Sequence, residues 1–396
     1  MSLKNELPKA VGMEVSIAIS EVVKQCDTDV IAAYPITPQT HIVEHLADLV
    51  ANGELDAEYI PVESEHSAMS ACMGSAAAGA RTFTATAAQG LEYMHEALFV
   101  ASAMRLPIVM AIANRALSAP ISVWGDHSDV MAARDCGWIS FFAENGQEAV
   151  DLTVISFKVA EDPQVLLPVF LNIDGFHLSH MIEPIIMPSK EEVQAYLPPF
   201  NYPAPLHPSR PVAMGECGGP NIYTEAKKQQ WEVLEKSLPV IKKAFADFAQ
   251  QFGRCYQAVE TYHTKNAKTI LLTMGSFSET AMSAVDKMRR QGRQVGLLRL
   301  RLFRPFPFDD LREAVKGAEN LIVLDRALSM GGPGGPVMSE VKSALYGHKH
   351  MPKVAGIVGG LGGREITVED FEKIFEIGAQ LANDPHREFI MYGVKE

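Results

Sequence analysis

The sequence has no Cys-x-x-Cys spacing: its five cysteines, Cys26, Cys72, Cys136, Cys217 and Cys255, stand far apart. That excludes the usual local iron–sulfur and zinc motifs. An odd, scattered set also argues against a disulfide framework and for a reducing compartment. Basic charge is in deficit, with 35 Lys and Arg against 48 Asp and Glu and a net charge of −13, so the basic face of a nucleic-acid binder is not expected. No apolar run reaches the roughly 18 residues of a membrane span. Met1 to Pro8 lack the basic-then-apolar pattern of an export signal. These absences predict a soluble, cytoplasmic protein with neither nucleic acid nor membrane as a partner.

What is present is an alternation of strands and helices. At 47% hydrophobic over 396 residues, the chain can bury two or three cores. Spacing predicts a helix from Val11 to Val23, a strand at Asp29–Ala33, an amphipathic helix at His41–Val50 and a short strand at Tyr59–Val62. A helix of small residues follows at Ser64–Ala78, then a strand at Arg81–Thr86, a Gln89-Gly90 turn and a helix at Leu91–Met104. Pro107–Ala113 is continuously apolar, as in a strand buried on both faces of a parallel sheet. Helix Gly146–Ala160 and strand Val165–Ile173 complete one doubly wound α/β unit.

Composition then breaks: six prolines fall between Pro198 and Pro211, describing an extended arm. A long surface helix is predicted from Tyr223 to Tyr256, kinked or split at Pro239. The α/β rhythm restarts with strands Thr269–Met274, Val295–Leu300 and Asn320–Asp325 separated by helices Ser278–Gln291 and Asp309–Gly317.

Tyr34-Pro35-Ile36-Thr37-Pro38 lies between a strand and a helix, at the sheet edge where open α/β folds bind ligands. Its two prolines restrict the backbone on either side of Thr37, whose hydroxyl suits either a small polar substrate or a helix cap. This motif resembles a hallmark of the α subunits of 2-oxoacid:ferredoxin oxidoreductases. Further matches follow in order at Glu63–Ser70, Ala78–Thr86, Gln89–Leu91, Arg105–Val109, Asn114–Pro120, Asp126–Asp129, Arg134-Asp135 with Gly137-Trp138, and Asp174–Phe176 with Ser179-His180. The resemblance covers nearly the whole chain, and the pyruvate-acting branch is nearest.

The resemblance implies an α/β fold: a doubly wound, pyrimidine-type thiamine-diphosphate-binding domain at 1–190, a proline-rich linker and long helix at 191–265, and a transketolase C-terminal-like α/β domain at 266–396. It implies oxidative decarboxylation of pyruvate to acetyl-coenzyme A and carbon dioxide, reversibly, with electrons passing to ferredoxin. Glu65, in a Ser-Glu-x-x-Ala pattern, would face ring nitrogen N1′ of the cofactor from an apolar setting, with Glu63 as the rival position. Arg115 would hold the substrate carboxylate in paired hydrogen bonds beside Thr37. Pro35, Ile36 and Gln89 would line the cofactor pocket, and Asp126, His127 and Asp129 a substrate loop. Metal binding by that loop is not expected, because adjacent ligands on one short loop rarely converge.

The family's Gly-Asp-Gly motif for the diphosphate and its divalent metal is missing here. If thiamine diphosphate is the cofactor, a β subunit must carry the diphosphate and Mg2+ site. The 4Fe–4S clusters would also lie in partner subunits, γ and ferredoxin-like δ subunits would complete the assembly, and coenzyme A would enter as co-substrate. The glycine-rich run Met330–Pro336 reads as a tight strand-to-helix connection rather than a phosphate loop, since its prolines remove donors and the Gly-Lys-Ser/Thr ending is absent. Other 2-oxoacids (2-oxoisovalerate, 2-oxoglutarate, oxalate) and a catalytically silent scaffold are the alternatives.

Overall fold

The computed structural model describes residues 9–349, 351–384 and 386–395. The amino-terminal segment read for an export signal lies outside them. Two sheets dominate. The first has seven strands in the order Leu302–Arg304, Ile139–Phe142, Val169–Asp174, Ile108–Asn114, Thr82–Thr86, Val30–Ala33, Glu58–Pro61. All are parallel except the first, which pairs antiparallel with Ile139–Phe142. Ile108–Asn114 shows why its apolar run is continuous: Val109, Ala111 and Ala113 join one hydrophobic cluster, and Ile108, Met110 and Ile112 the opposite one.

The second sheet has six strands, Phe389–Met391, Lys353–Val358, Asn320–Asp325, Thr269–Thr273, Val295–Leu300 and Val259–Tyr262, with only the last antiparallel. The sheets are joined covalently at Arg301. The strand ending at Leu300 belongs to the second sheet, and the next, starting at Leu302, to the first. Arg301 is 1% exposed and pairs with Glu148 at 2.6 Å and Glu260 at 2.9 Å. Ile112 and Trp138 of the first unit share one hydrophobic cluster with Leu272 and Val323 of the second.

Several sequence expectations need correction. Val11–Glu14 is a strand paired antiparallel with Ile182–Ile185, and the helix begins only at Val15. The single helix expected over Leu91–Met104 is two, Ala88–Tyr93 and His95–Ala103, broken at Met94, and the first includes the expected Gln89-Gly90 turn. Helix Tyr223–Phe252 runs through Pro239 without splitting. Pro239 and Glu235, whose carbonyl loses its N–H partner, both face solvent, so water can satisfy that oxygen. The proline-rich stretch lies as an arm on the first unit, with Leu206 N–H donating to Ala77 O at 2.8 Å and Arg81 Nη2 to Pro198 O at 2.9 Å.

Candidate active site

Four neighbouring parallel strands end on one edge of the first sheet, and each delivers one part of the site. After Ile108–Asn114 comes Arg115; after Thr82–Thr86, Gly90; after Val30–Ala33, Thr37; after Glu58–Pro61, Glu65. Residues 25 to 78 positions apart are thus brought to a single edge by strand order alone, as expected of ligand sites in open parallel sheets.

Glu65 is the first residue of helix Glu65–Ala77, whose N-cap Ser64 accepts from the Ser67 N–H at 3.2 Å. It is 8% exposed, and no hydrogen bond from the described residues reaches its carboxylate. The rival Glu63 is exposed and accepts from Ser67 Oγ at 2.6 Å, a solvated surface contact. Beside Glu65, Thr86 Oγ1 is buried without a partner among the described residues. Gly90 completes this wall: a Cβ there would lie 2.6 Å from Thr86 Oγ1 and 2.7 Å from Glu65 Oε1. A carboxylate and a hydroxyl left unpaired beneath a glycine suit a flat, polar-edged ring, because buried polar groups otherwise find partners.

Arg115 is 6% exposed and held by carbonyls rather than by a carboxylate. Its Nε donates to Ser122 O at 2.7 Å and Nη1 to Thr37 O at 3.0 Å, while Nη2 has no partner among the described residues. Burial pulls its pKa below the ordinary guanidinium value, with Asp129 opposing the shift. A desolvated guanidinium with one nitrogen free is suited to an incoming anion. Thr37 and Pro35 are exposed and Ile36 is half-buried, so this loop faces outward from the sheet edge. Gln39, wholly buried, braces it by donating Nε2 to Tyr34 O at 2.9 Å. Gln89 is half-buried next to Gly90.

The three loop residues Asp126, His127 and Asp129 are all buried, and their side chains bond within the protein. Asp126 accepts from Ser128 Oγ at 2.6 Å and, across the chain, from the Gly362 N–H at 3.0 Å. His127 Nε2 meets Asp174 Oδ1 at 2.8 Å. Asp174 also receives the Ser276 N–H at 2.7 Å, Ser276 Oγ at 2.6 Å and Arg326 Nη1, making it the pin between the two sheets. Burial opposes its charge, but Arg326 and His127 outweigh burial and hold its pKa well below the usual carboxylate range. Asp129 receives four N–H groups, and burial pushes its pKa up to about 6.

Sequence reading did not single out Gly90, Thr86, Asp174 or Arg326 as site residues. Gly90, Thr86 and Asp174 stand within the matched stretches Gln89–Leu91, Ala78–Thr86 and Asp174–Phe176, whereas Arg326 stands in none. In the second unit, Asp325 accepts from Val337 N at 2.8 Å and Met338 N at 3.0 Å, so helix Pro336–Leu345 after the glycine-rich run already holds a carboxylate at its N-terminus. A strand-to-helix connection is what that run forms.

The amino-terminal part, residues 21–246, matches the family described as pyruvate flavodoxin/ferredoxin oxidoreductase, thiamine diphosphate-binding. The chain belongs to that family. Residues 267–371 match the pyruvate:ferredoxin oxidoreductase core domain II. Among relatives, pyruvate synthase subunit PorA of Methanocaldococcus jannaschii is 51% identical over 90% of this chain and 92% of its own. Ketoisovalerate oxidoreductase subunit VorA of Pyrococcus horikoshii is 44% identical over 88% of each. A solved 2-oxoglutarate:ferredoxin oxidoreductase from Magnetococcus marinus superposes with a TM-score of 0.69 at 19% identity, over 96% of this chain and 67% of that one. A split-gene transketolase superposes at 0.55 and 10% identity, over 93% of this chain and 97% of that one. The two structural likenesses speak for the fold, which is α/β and transketolase-like.

Proposed function

We propose that this chain forms the ring-gripping and acid-orienting half of a split thiamine diphosphate site. The chain is an α subunit of a pyruvate:ferredoxin oxidoreductase of pyruvate synthase type, as its near-full-length identity to such subunits indicates. The observation that carries the split-site reading is the pairing of a complete sheet-edge constellation, Thr37, Glu65, Gly90 and Arg115, with a sequence that has no Gly-Asp-Gly. A diphosphate and its Mg2+ then belong to a β subunit, and the 4Fe–4S clusters to partner subunits, in an assembly with γ and ferredoxin-like δ subunits that passes electrons to ferredoxin in the cytoplasm.

Thiamine diphosphate, when bound, supplies a nucleophilic carbon and an electron sink for decarboxylation. Glu65 is placed to hold a proton at the ring's N1′ edge, since its carboxylate is buried and unengaged. Thr86 Oγ1 can satisfy a second ring atom, and Gly90 leaves room for the ring face. Arg115 Nη2 binds the carboxylate of the 2-oxoacid, with the guanidinium plane fixed by Ser122 O and Thr37 O. Positioning of this kind converts a bimolecular encounter into an oriented one. Thr37 orients the acid from the opposite loop, next to Pro35 and Ile36. Asp126, His127 and Asp129 shape the site from behind, through the backbone they hold. Coenzyme A enters as the acyl acceptor.

The kinship to a ketoisovalerate oxidoreductase subunit keeps branched-chain acids as a second reading of the substrate. The test is a pull-down of the native protein, scored for partner subunits, thiamine diphosphate and iron, followed by initial rates on pyruvate, 2-oxoisovalerate and 2-oxoglutarate. A Gly-Asp-Gly-bearing partner and preference for pyruvate are expected. A stable assembly without the cofactor, or one inert to pyruvate, contradicts the reading.

A further inference from the structure

Asp129 is 0% exposed, and no cationic side chain forms an ion pair with it among the described residues. Among the described residues, its hydrogen bonds come from neutral donors. Oδ1 accepts from Asn114 Nδ2 at 3.0 Å and from the Val130 N–H at 2.7 Å. Oδ2 accepts from the Ala88 N–H at 3.0 Å and from the Arg115 N–H at 2.9 Å. Those last two amides begin the segments after two adjacent strands, Thr82–Thr86 and Ile108–Asn114. One oxygen atom therefore ties both strand ends.

The consequences run in both directions from that atom. Ala88 opens the helix carrying Gly90, with φ of +44°, in the left-handed region that a side-chain-bearing residue rarely adopts. Two residues later Gly90 abuts Glu65 and Thr86. On the other side, Arg115 carries the guanidinium at the acid-binding position. The same turn is tied once more, by Ser128 Oγ accepting from the Leu117 N–H at 3.0 Å. Burying an unpaired carboxylate is unfavourable, so a well-packed fold alone gives little reason to keep one here.

We propose that Asp129 is a positioning residue: by holding the Ala88 and Arg115 amides on one oxygen, it sets the separation between the Glu65–Gly90 wall and the Arg115 guanidinium. This rests on the roles given above to Glu65 and Arg115. Asp129→Ala removes the oxygen that holds both amides, so both strand ends are released together. Asn is less informative, because its one carbonyl oxygen can take the place of Oδ2 and keep both amides while its NH2 faces Asn114 and Val130.

The experiment is a double-mutant cycle in the assembled complex, using Asp129→Ala, Arg115→Lys and the pair. Asp129→Ala is expected to raise KM for pyruvate about tenfold with a smaller change in kcat, and to add less than about threefold in the Arg115→Lys background, since residues acting as one unit are not additive. The same factor in both backgrounds, or a loss of kcat at unchanged KM, overturns the proposal. A second measurement uses the wild-type complex, so it holds even where Asp129→Ala does not assemble. Hydrogen exchange at the Ala88 and Arg115 amides should be as slow as in strand Ile108–Asn114, and exchange at open-loop rates overturns the proposal. Arg115→Lys with an unchanged KM instead removes the substrate role of Arg115, and the amide exchange then decides for or against Asp129.

Discussion

Gly90 lies so close to Glu65 that a Cβ on the glycine would stand 2.7 Å from Glu65 Oε1. The contact joins two helix starts that follow different strands, and it leaves a buried carboxylate beneath a surface with no side chain.

Gly90→Ala therefore tests the cofactor half of the site. The atoms in the way all belong to side chains, Glu65 Oε1 and Cγ and Thr86 Oγ1, so these must shift while the backbone need not. The fold should survive, with stability lowered by about 1–3 kcal/mol. Thiamine diphosphate affinity of the assembled complex, measured by titration calorimetry, should fall at least about tenfold, or about 1.4 kcal/mol. Unchanged affinity would place the ring elsewhere.

Arg115→Lys tests the acid half. Lysine keeps the charge but cannot reproduce the planar contacts to Ser122 O, Thr37 O and an incoming carboxylate together. Steady-state rates should show KM for pyruvate raised about ten- to hundredfold, with a smaller change in kcat. A variant with wild-type KM would show that the guanidinium serves the loop alone.

Much of this frame was legible in the sequence, because its signals are local. A strand buried on both faces must be continuously apolar, and Ile108–Asn114 is. Thr37, Glu65 and Arg115 each follow a recognisable strand, so a parallel sheet brings them to one edge. What could not be read depended on distant partners. Val11–Glu14 has helix-compatible spacing, yet it becomes a strand because Ile182–Ile185 pairs with it. For Asp126 and His127, read as a substrate loop, the sequence could not show that their side chains bond Gly362 and Asp174, which lie 236 and 47 residues away. The early helix start at Ala88 likewise depends on Asp129, 41 residues on.

Asp174 offers a test of the join between the sheets. Asp174→Asn leaves Arg326, 2% exposed, without its carboxylate, and breaking one partner of a buried pair costs about 3–5 kcal/mol. The acid response gives the sign. A carboxylate whose folded pKa is depressed stabilises fully above its ordinary value of 3.8 and loses that contribution as pH falls below it. Acid unfolding followed by tryptophan fluorescence should thus show a wild-type advantage that is large at neutral pH and shrinks below about pH 4. An advantage that is independent of pH would mean the pin acts through packing and not through charge.

The central claim, that this chain grips the cofactor ring through Glu65, is tested most directly by Glu65→Gln in the assembled complex, measuring pyruvate turnover alongside subunit composition. Glutamine keeps the shape but cannot share a proton with the ring. Turnover is expected to fall by at least about a hundredfold, the range of a lost general acid–base group, while the subunits still co-purify. Intact assembly with unchanged turnover would contradict the account and leave this chain a scaffold for a site held entirely by its partners.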